Sequence, residues 1–405
     1  MSKTNMLINF CNRILPKKDH ITISGYPSDE GNVIETIRVI HDLTTAKINV
    51  LVDDPNIWDL EKKYTRVRLM KKNSAKGVYS YLTSQLVLFT HGLFGSIEPV
   101  IGKQIYVNLW HGDGIKQKPE FSHLETSPFP ANYTVGTSRV LADQRAVDLR
   151  YSESSVIMTG APRLGAMLRT DACNKIKNRL SEITGFEKYV IWMPTFRTAG
   201  VVGRNRARFD SSITESGFAS ALNDLREILH SQDTALVGKF HPLEKNSMAS
   251  LVDLTISAEM LDQLESSLYL VIGGSSGLVT DYSSVWIEYL ILDRPIAFFT
   301  PDLEEYTSRR GLFPHDIMDR LPGLNLNSTA NISQFAYSIE HGGEELLRAS
   351  TRTWLGIPQI SDSPASDLVN WLSKLPELRE LLIQTPPTPI MNFGPVFSRK
   401  TPTLK

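Results

Sequence analysis

The sequence contains little cysteine, no long apolar run and no excess of charge of either sign. Its 405 residues include only two cysteines, Cys11 and Cys173, which excludes a disulfide scaffold and is too few for a structural zinc site. No apolar run approaches the roughly 20 residues that a membrane-spanning helix requires. The formal net charge is −1, whereas proteins that coat DNA or RNA are usually basic. The first 15 residues lack the continuous apolar core of a signal peptide. We therefore expect a cytoplasmic protein without a nucleic-acid partner.

The first half of the chain alternates between strand-like and helix-like segments. Short runs rich in β-branched residues are typical of buried strands, and the segments between them have the apolar spacing of helices. The strand-like runs lie at residues 21–24, 48–52, 67–70, 85–90, 105–109, 133–135 and 155–158. Buried strands separated by helices predict a parallel sheet with helices on both faces.

A polar stretch at residues 171–188 interrupts this alternation, which then restarts. The strand-like runs of the second half lie at residues 189–193, 235–240, 268–272 and 295–299. We therefore predict two doubly wound α/β domains, at residues 1–172 and 186–375, with ligands bound in a cleft at the carboxyl ends of their strands. Residues 366–383 are expected to be helical from an N-cap at Ser366, and the proline-containing residues 385–405 to form an extended tail.

One candidate catalytic residue is a histidine at the carboxyl end of a predicted strand. The apolar run at residues 105–109 leads directly into Trp110-His111-Gly112, where the glycine permits a sharp turn. A histidine there lies in the ligand crevice of a parallel sheet, and imidazole titrates near neutral pH, as a general base requires. Lys116 adds positive charge nearby. Alternatively, His111 packs beneath the sheet.

Three further turns carry basic side chains. A predicted strand at residues 189–193 is followed by a loop that contains Arg197. The geometry of a guanidinium group suits a phosphate, which it can bind through two hydrogen bonds. Another predicted strand ends in His241-Pro242, which repeats the arrangement around His111. The turn Thr159-Gly-Ala-Pro-Arg163 ends the last strand of the first half and could direct Arg163 towards a phosphate. The alternatives are a solvated loop, a structural turn histidine and an ordinary interdomain turn.

Small and hydroxyl residues crowd the segment 273–288. Ser283 or Ser284 would cap the following helix, whose first N–H groups suit a phosphate, and Asp281 would orient the turn. Glu288 would accept hydrogen bonds from a sugar hydroxyl. An ordinary capped helix is the alternative. The pattern is neither a P-loop nor G-x-G-x-x-G, which disfavours an ATPase or a Rossmann dehydrogenase.

Two surface features favour contact with an anionic membrane. Residues 61–76 hold seven Lys or Arg side chains against one acidic residue, Glu61. Residues 6–15 have the pattern of a short amphipathic helix and precede Lys17 and Lys18. A basic segment and an apolar helix face can bind a lipid surface together. The alternative is a solvated face and a packed terminal helix.

Several of these segments together resemble the CDP-glycerol glycerophosphotransferases, which include the teichoic-acid primases and polymerases and related capsule polymerases. The resemblance runs from about residue 80 to 325 and rests on motifs in the family's order. These are Trp110-His111-Gly112, Gly160-Ala-Pro-Arg163, Pro194-Thr-Phe-Arg197, His241-Pro242, Thr280-Asp-Tyr-Ser-Ser284, Leu292-Asp-Arg-Pro295 and Asp302-Leu-Glu-Glu-Tyr306. The family implies a GT-B architecture, in which two Rossmann-like domains face a cleft and the second binds most of the donor nucleotide.

The resemblance also implies a reaction and a set of roles. A CDP-polyol would donate its phosphopolyol to an acceptor hydroxyl of a lipid-linked saccharide or polyol-phosphate polymer, and CMP would leave. His111 would take the acceptor proton, while His241 and Arg197 would neutralise the donor pyrophosphate. The donor would also be bound by a larger group of residues, namely Arg163, Thr280, Asp281, Ser283, Ser284 and Glu288. No metal or other cofactor is expected to be essential.

The sequence departs from the family at two places on the acceptor side. Where the family often has Thr-Pro-Leu-Lys after Trp-His-Gly, this chain has Asp113-Gly-Ile-Lys116, so Asp113 either pairs with a basic neighbour or alters acceptor preference. Residues 90–95 match no family signature and either line the acceptor side or form a turn. We assign Gly112, Asp113 and Lys116 to the acceptor side or to an accessory role.

Two rival functions remain compatible with the sequence. A GT-B glycosyltransferase would move a sugar from a nucleotide sugar, so the release of CMP instead of UDP or GDP distinguishes the two reactions. A non-catalytic protein that binds a surface polymer would have no turnover, so a His111→Ala variant would lose none.

Overall fold

The computed structural model describes residues 3–92, 94, 97–118, 121, 123–195, 211–240 and 248–383. The chain divides into two compact units. The first contains Met1–Asp113, Lys118–Leu168 and the described part of Ile357–Lys405, and the second contains Gly114–Gln117 and Arg169–Gly356. Each unit is built around one parallel sheet with helices against it, which confirms the predicted α/β class.

The described strands of the first unit form a seven-stranded sheet in the order β3-β2-β1-β4-β5-β6-β7. Its inner strands consist largely of β-branched and aromatic residues that are buried on both faces, which is why they read as apolar runs. The strands are β1 (Lys18–Ser24), β2 (Lys47–Val52), β3 (Val67–Lys71), β4 (Ser84–Phe89), β5 (Ile105–Asn108), β6 (Tyr133–Val135) and β7 (Val156–Ile157).

The order of this sheet reverses between β1 and β4, which are hydrogen-bonded neighbours. The connections that follow these two strands therefore run to opposite sides and leave a crevice at the carboxyl edge, the usual ligand position in such sheets. The helices of this unit are Lys3–Ile14, Gly31–Leu43, Leu60–Lys63, Ala75–Thr83, Arg139–Asp148, Leu164–Leu168 and Pro364–Leu372.

The described strands of the second unit form a six-stranded sheet in the order β10-β9-β8-β11-β12-β13. They are β8 (Lys188–Met193), β9 (Thr234–Gly238), β10 (Leu254–Thr255), β11 (Gly277–Thr280), β12 (Ile296–Phe298) and β13 (Leu324–Asn325). The order reverses between β8 and β11, so a second crevice lies at that point. The helices are Thr170–Thr184, Ser211–His230, Ala258–Gln263, Leu268–Gly274, Val285–Tyr289, Leu303–Arg310, Thr329–His341 and Glu345–Trp354.

The predicted strand at residues 268–272 is wrong, because this segment is the helix Leu268–Gly274. The Ser267 hydroxyl caps it by accepting a hydrogen bond from the Leu270 N–H at 3.3 Å. A short, fully apolar run has no periodicity that separates a buried helix from a buried strand. The strand of this region is the following segment, Gly277–Thr280.

The structure also differs from the expected domain boundary near the C-terminus. The helix Pro364–Leu372 follows Ser363 at its N-cap position, not Ser366. Its apolar face, with Leu368, Val369 and Leu372, lies in the core of the first unit. Residues 357–375 therefore pack with the N-terminal domain, although they come last in the chain. Helical periodicity predicts a buried face but not which core receives it. The predicted tail, residues 385–405, lies outside the described residues.

Candidate active site

The chain turns sharply where β5 ends, and two buried asparagines hold the turn. The Asn108 Oδ1 accepts a hydrogen bond from the Trp110 N–H at 2.9 Å. The Asn32 side chain donates from Nδ2 to the Trp110 carbonyl oxygen at 3.0 Å. Trp110 has a φ of 55°, a left-handed conformation that costs a non-glycine residue of order 1–2 kcal/mol, and Gly112 has a φ of 112°. This turn places His111 at the carboxyl edge of the sheet.

The His111 ring stacks on two other rings. It stacks on His91 with centroids 4.5 Å apart and planes inclined by 11°. It also stacks on Trp110, with centroids 4.2 Å apart and planes inclined by 28°. The Lys118 ammonium lies 4.4 Å from the centroid of the Trp110 ring. His111 is therefore held by two aromatic neighbours, although the residue is exposed to solvent.

These surroundings favour the neutral form of His111. Desolvation by its neighbours lowers the pKa of His111 well below the usual value of 6.5, and the nearby His91, Lys118 and Arg163 lower it further. A hydrogen bond with the Thr90 backbone acts in the opposite direction but does not outweigh them. A neutral imidazole has a free lone pair at neutral pH, so His111 can accept a proton there.

Arg163 holds the His111 turn instead of facing solvent. Its guanidinium donates from Nη1 to Glu30 Oε1 at 2.7 Å and from Nη2 to the His111 carbonyl oxygen at 2.9 Å. Its backbone N–H donates to Asn32 Oδ1 at 3.1 Å. Arg163 is 8% exposed. The expected phosphate-facing arginine is therefore corrected to one engaged within the first unit.

Asp113 takes the first of its two predicted alternatives and pairs with a basic neighbour. Its Oδ2 accepts hydrogen bonds from the N–H groups of Thr137 and Ser138, both at 2.7 Å, and its Oδ1 forms a buried ion pair with Arg145. Asp113 is 3% exposed. This carboxylate joins the loop after β5 to the start of the helix Arg139–Asp148, so the arrangement assigns it a structural role.

Lys116 lies in the short stretch that belongs to the second unit. It forms an isolated antiparallel bridge with Leu312, and the Phe313 N–H donates to the Ile115 carbonyl oxygen at 2.8 Å. The main chain at Lys116 is thus fixed by the second unit, whereas His111 and Gly112 belong to the first. Of the three residues expected together on the acceptor side, Gly112 and Asp113 thus belong to the first unit and Lys116 to the second.

In the second unit, Asp281 connects the carboxyl ends of β8 and β11. It accepts hydrogen bonds from the Thr195 N–H at 2.8 Å through Oδ1 and at 3.0 Å through Oδ2. It also accepts one from the Ser283 N–H at 3.2 Å. The Thr280 hydroxyl donates to the Met193 carbonyl oxygen at 2.7 Å. Asp281 therefore orients the turn, as the sequence predicts.

The predicted cap position of the next helix is confirmed at Ser284, but the expected capping by its side chain is not observed. Ser284 occupies the N-cap position of Val285–Tyr289 but has helical dihedral angles, φ −66° and ψ −6°, and its side chain makes no capping hydrogen bond. The bonds of Asp281 shape this turn in place of a serine hydroxyl. Ser283 and Ser284 are both partly exposed.

Glu288 is buried instead of open to a sugar hydroxyl. Glu288 is 2% exposed, and its Oε2 accepts a hydrogen bond from the Tyr269 hydroxyl at 2.7 Å. A buried carboxyl group needs such a partner, because burying it without a hydrogen bond is costly. Arg197 and His241, the other predicted donor contacts, lie outside the described residues.

His91 is a functional candidate outside the family motifs, in the segment 90–95 that was expected either to line the acceptor side or to form a turn. β4 and β5 pair in parallel with Phe89 opposite Asn108, so the residues after both strands leave the same edge of the sheet. His91 follows β4 as His111 follows β5. The detectable signal was therefore a second histidine just after a neighbouring buried strand.

Two negative observations concern the described residues only. No group of three or more His, Cys, Asp or Glu side chains there is placed to hold a metal ion. Among the helices of the described ranges, none combines the length and hydrophobicity that crossing a bilayer demands.

Comparison with known proteins identifies the family. The chain belongs to the CDP-glycerol:poly(glycerophosphate) glycerophosphotransferase family, whose model matches residues 21–352. It is 25% identical over 237 residues to the teichoic acid ribitol-phosphate primase of Bacillus spizizenii, an alignment that covers 54% of this chain and 57% of that protein. It is 25% identical over 261 residues to the teichoic acid glycerol-phosphate transferase of Staphylococcus aureus, covering 64% of this chain and 61% of the other. The matched part therefore spans less than two thirds of either relative.

Solved structures agree on the fold. The wall teichoic acid polymerase TagF superposes with a TM-score of 0.65 at 15% identity, over 94% of this chain and 93% of that one. Together with the two parallel sheets, this similarity confirms the GT-B type fold that the sequence motifs implied.

Proposed function

We propose that this protein transfers glycerol phosphate, or another polyol phosphate, from CDP-glycerol or a related CDP-polyol to an acceptor hydroxyl of a cell-surface polymer, teichoic acid or capsule. CMP is the second product. Family membership over residues 21–352 supports the reaction class. The structural observation that carries the proposal is His111, which lies at the carboxyl edge of the first sheet and stacks on two other rings.

His111 acts as the general base in this proposal. The acceptor oxygen forms a bond to the phosphorus that carries the polyol, while the bond from that phosphorus to the CMP oxygen breaks. The acceptor proton passes to His111, and the electron pair of the broken bond leaves with CMP as phosphate charge. Phosphoryl transfer depends mainly on positioning and on stabilising this charge. The low pKa of His111 keeps the base form available before the step.

The donor contacts are proposed for the second unit. Arg197 and His241 neutralise the pyrophosphate, because each follows a strand of the second half in a motif that resembles the family's. Ser283 and Ser284 offer partly exposed hydroxyls beside the turn that Asp281 and Thr280 organise. Glu288 and Arg163 support the site from within their own units, since their charged groups are already hydrogen-bonded there.

The acceptor is proposed to be a lipid-linked saccharide or a polyol-phosphate polymer at the cytoplasmic face of the membrane. The helix Lys3–Ile14 supports peripheral binding, because four apolar side chains on one face are between 58% and 63% exposed; they are Met6, Leu7, Phe10 and Ile14. Exposed basic residues of the segment 61–76 supply positive charge, namely Lys62, Lys63, Arg68, Lys71 and Lys76. Lys17 contributes less, because its ammonium is engaged by the Asn12 and Leu82 carbonyl oxygens.

CMP release tests the proposed function directly. The protein is incubated separately with CDP-glycerol, CDP-ribitol, a UDP-sugar and a GDP-sugar, each with and without a membrane or polymer acceptor. We expect CMP from one CDP-polyol, dependent on acceptor. UDP or GDP released from a sugar donor, without CMP, would instead establish a glycosyltransferase.

Matched histidine variants locate the base. His111→Ala should reduce transfer by about 10²–10⁴-fold, the usual contribution of a general base, while donor binding changes little. His341→Ala is the control, because His341 is also a stacked histidine but lies on the helix Thr329–His341. Full transfer by His111→Ala would remove His111 from the mechanism, and a protein with no turnover at all would be a binding protein.

A further inference from the structure

We propose that His91 is a positioning residue for the transfer step: stacked face to face on His111, it fixes the plane in which the His111 imidazole meets the acceptor hydroxyl. The inference rests on the proposed function, in which His111 is the base. It adds a residue outside the motifs that carry the family resemblance.

The backbone fixes where His91 lies. β4 is bonded to β1 on one side and to β5 on the other, and the hydrogen bonds continue one residue further, because the Thr90 N–H donates to the Ser24 carbonyl oxygen at 3.2 Å. Thr90 is buried. His91 is therefore the first residue beyond a strand end that is held on both sides, so its Cα cannot drift away from the turn that carries His111.

The side chain of His91 is fixed in turn by its own contacts. Its Nδ1 is 3.0 Å from the Thr90 hydroxyl oxygen, which also accepts a hydrogen bond from the Tyr26 N–H at 3.2 Å. The Tyr26 ring meets His91 edge to face, with centroids 5.7 Å apart and an interplanar angle of 73°. A side chain bonded at one nitrogen and packed at one edge has little freedom to rotate, so it can serve as a fixed surface.

His111 stacks on that surface and on Trp110. The planes of His91 and His111 are nearly parallel, 11° apart, so His91 opposes a tilt of the His111 ring towards it. Without His91, the His111 ring loses this stacking partner and keeps the contact with Trp110. Holding a reacting group in one orientation is worth a large share of a catalytic barrier, and a small misplacement can cost about 10²-fold in rate.

The charges around the pair act in the same direction. Lys118 and Arg163 face His111, and Arg163 is itself paired with Glu30. Lys72 faces His91. Two stacked imidazoles surrounded by cations disfavour a proton on either ring, so burial and these neighbours lower the pKa of both. Removal of the His91 ring should admit water and remove one of these neighbours, which raises the pKa of His111.

Three substitutions at His91 separate stacking from hydrogen bonding. His91→Ala removes both, His91→Phe keeps a flat ring without the nitrogen, and His91→Asn keeps a polar group near Thr90 without the ring. We expect His91→Ala and His91→Asn to lower kcat by about 10- to 100-fold with the KM for the CDP-polyol unchanged. His91→Phe should restore most of kcat.

The pH profile gives a readout that a merely structural role would not move. Activity is lost at low pH when the base is protonated, so a raised His111 pKa moves the acid limb of kcat/KM to higher pH in His91→Ala. His91→Phe keeps a ring stacked on His111 and should leave the limb close to that of the wild type. His341→Ala, which breaks a comparable stack on Tyr337 with centroids 4.1 Å apart, should change neither kcat nor the profile.

The outcomes distinguish the positioning role of His91 from the proposed function, in which His111 is the general base. If His111→Ala loses transfer but all three His91 variants match the wild type in kcat and pH profile, the positioning role is overturned and the base assignment stands. Rescue by His91→Asn but not by His91→Phe would also overturn it, in favour of the Thr90 hydrogen bond. If His111→Ala keeps full transfer, the proposed base itself is wrong. Should His91→Ala fail to fold, the His91→Phe and His91→Asn pair decides alone.

Discussion

Arg163 and Glu30 form an ion pair with 2.7 Å between Nη1 and Oε1, and both side chains are at least nine-tenths buried. The same guanidinium donates from Nη2 to the His111 carbonyl oxygen, and the Glu30 carboxylate also accepts from the Asn32 N–H at 2.8 Å. One buried pair thus joins the start of the helix Gly31–Leu43 to the turn that carries the proposed base. Its main effect on catalysis should be the position of His111.

Arg163→Ala should destabilise the fold and slow transfer together. Removing the guanidinium leaves the Glu30 carboxylate buried without its ion-pair partner, a change that typically costs about 3–5 kcal/mol. The free energy of unfolding is measured by urea denaturation, and kcat by CMP release. Arg139→Ala is the matched control, because the Arg139–Asp143 pair has side chains 47% and 45% exposed; such helical pairs contribute only about 0.5 kcal/mol or less.

A double variant separates the two roles of this arginine. Replacing both partners, Arg163→Met with Glu30→Gln, removes the uncompensated charge and should recover part of the lost stability. It should not recover kcat, because the His111 carbonyl oxygen still lacks its donor. Recovery of full activity by the double variant would contradict a positioning role for Arg163.

Asp281→Asn should weaken donor binding in the second unit. The carboxylate accepts from both the Thr195 N–H and the Ser283 N–H, and an amide offers only one acceptor oxygen for them. Thr195 stands two residues before Arg197, so a looser turn misplaces the proposed pyrophosphate contact. We expect the KM for the CDP-polyol to rise about tenfold, the effect of one hydrogen bond to a charged group, in steady-state CMP release.

The control for that change is Asp302→Asn, which alters the carboxylate that accepts from the Tyr282 hydroxyl at 3.0 Å. Asp302 accepts from a side-chain hydroxyl, whereas Asp281 accepts from backbone N–H groups. A donor KM that rises equally in both variants would show a general loosening of the region, and an unchanged KM in Asp281→Asn would remove the turn from donor binding.

The alternation of strands and helices and the strand-end position of His111 were predictable from sequence, because both depend on local apolar patterns. The stacking of His91 on His111 was not predictable, since nothing in residues 90–95 specifies which side chain the His91 ring contacts. The roles of Arg163 and Glu288 were misjudged for the same reason. A charged residue in a motif reads as a ligand contact, whereas its internal partners, Glu30 and Tyr269, lie 133 and 19 positions away along the chain.

The sequence also does not predict which unit the helix Pro364–Leu372 packs against. Leu368, Val369 and Leu372 predict a buried face, but both units offer an apolar core that could receive it. Only the tertiary structure places this face against the first sheet. For Asp113 the sequence predicted two alternatives, and one of them, pairing with a basic neighbour, is correct. Only the tertiary structure identifies that neighbour as Arg145.

Asp253 should contribute stability that disappears in acid. Burial alone would raise the pKa of this carboxyl, but hydrogen bonds from His230, the Leu236 N–H and Arg226 outweigh it and leave the pKa lowered. A carboxyl whose pKa is lower in the folded than in the unfolded state stabilises the fold above its unfolded pKa. That stabilisation is lost as the pH falls below the unfolded value, about 3.9, through the folded one.

Thermal unfolding between pH 2 and pH 7 tests this assignment. Asp253→Asn should lower Tm at pH 7, where the carboxylate is ionised, and should flatten the fall of Tm in acid. Asp143→Asn is the control, because its carboxylate lies in an exposed ion pair. If Asp253→Asn and the wild type lose Tm in parallel as the pH falls, the carboxylate contributes no acid-sensitive stability.

The exposed stripe on the helix Lys3–Ile14 should bind anionic membranes. Phe10, 59% exposed, lies in the middle of the stripe, and a buried aromatic side chain contributes about 1.5–3 kcal/mol of transfer free energy. Phe10→Glu should therefore lower the affinity for vesicles of phosphatidylglycerol and phosphatidylcholine by at least about tenfold. The affinity is measured from the fraction of protein that sediments with the vesicles.

Ile101→Glu is the matched control, since Ile101 is 95% exposed but stands in a turn outside the helix. Equal binding by both variants would exclude the stripe, and binding to pure phosphatidylcholine as strong as to the anionic mixture would exclude the basic segment 61–76 as its partner.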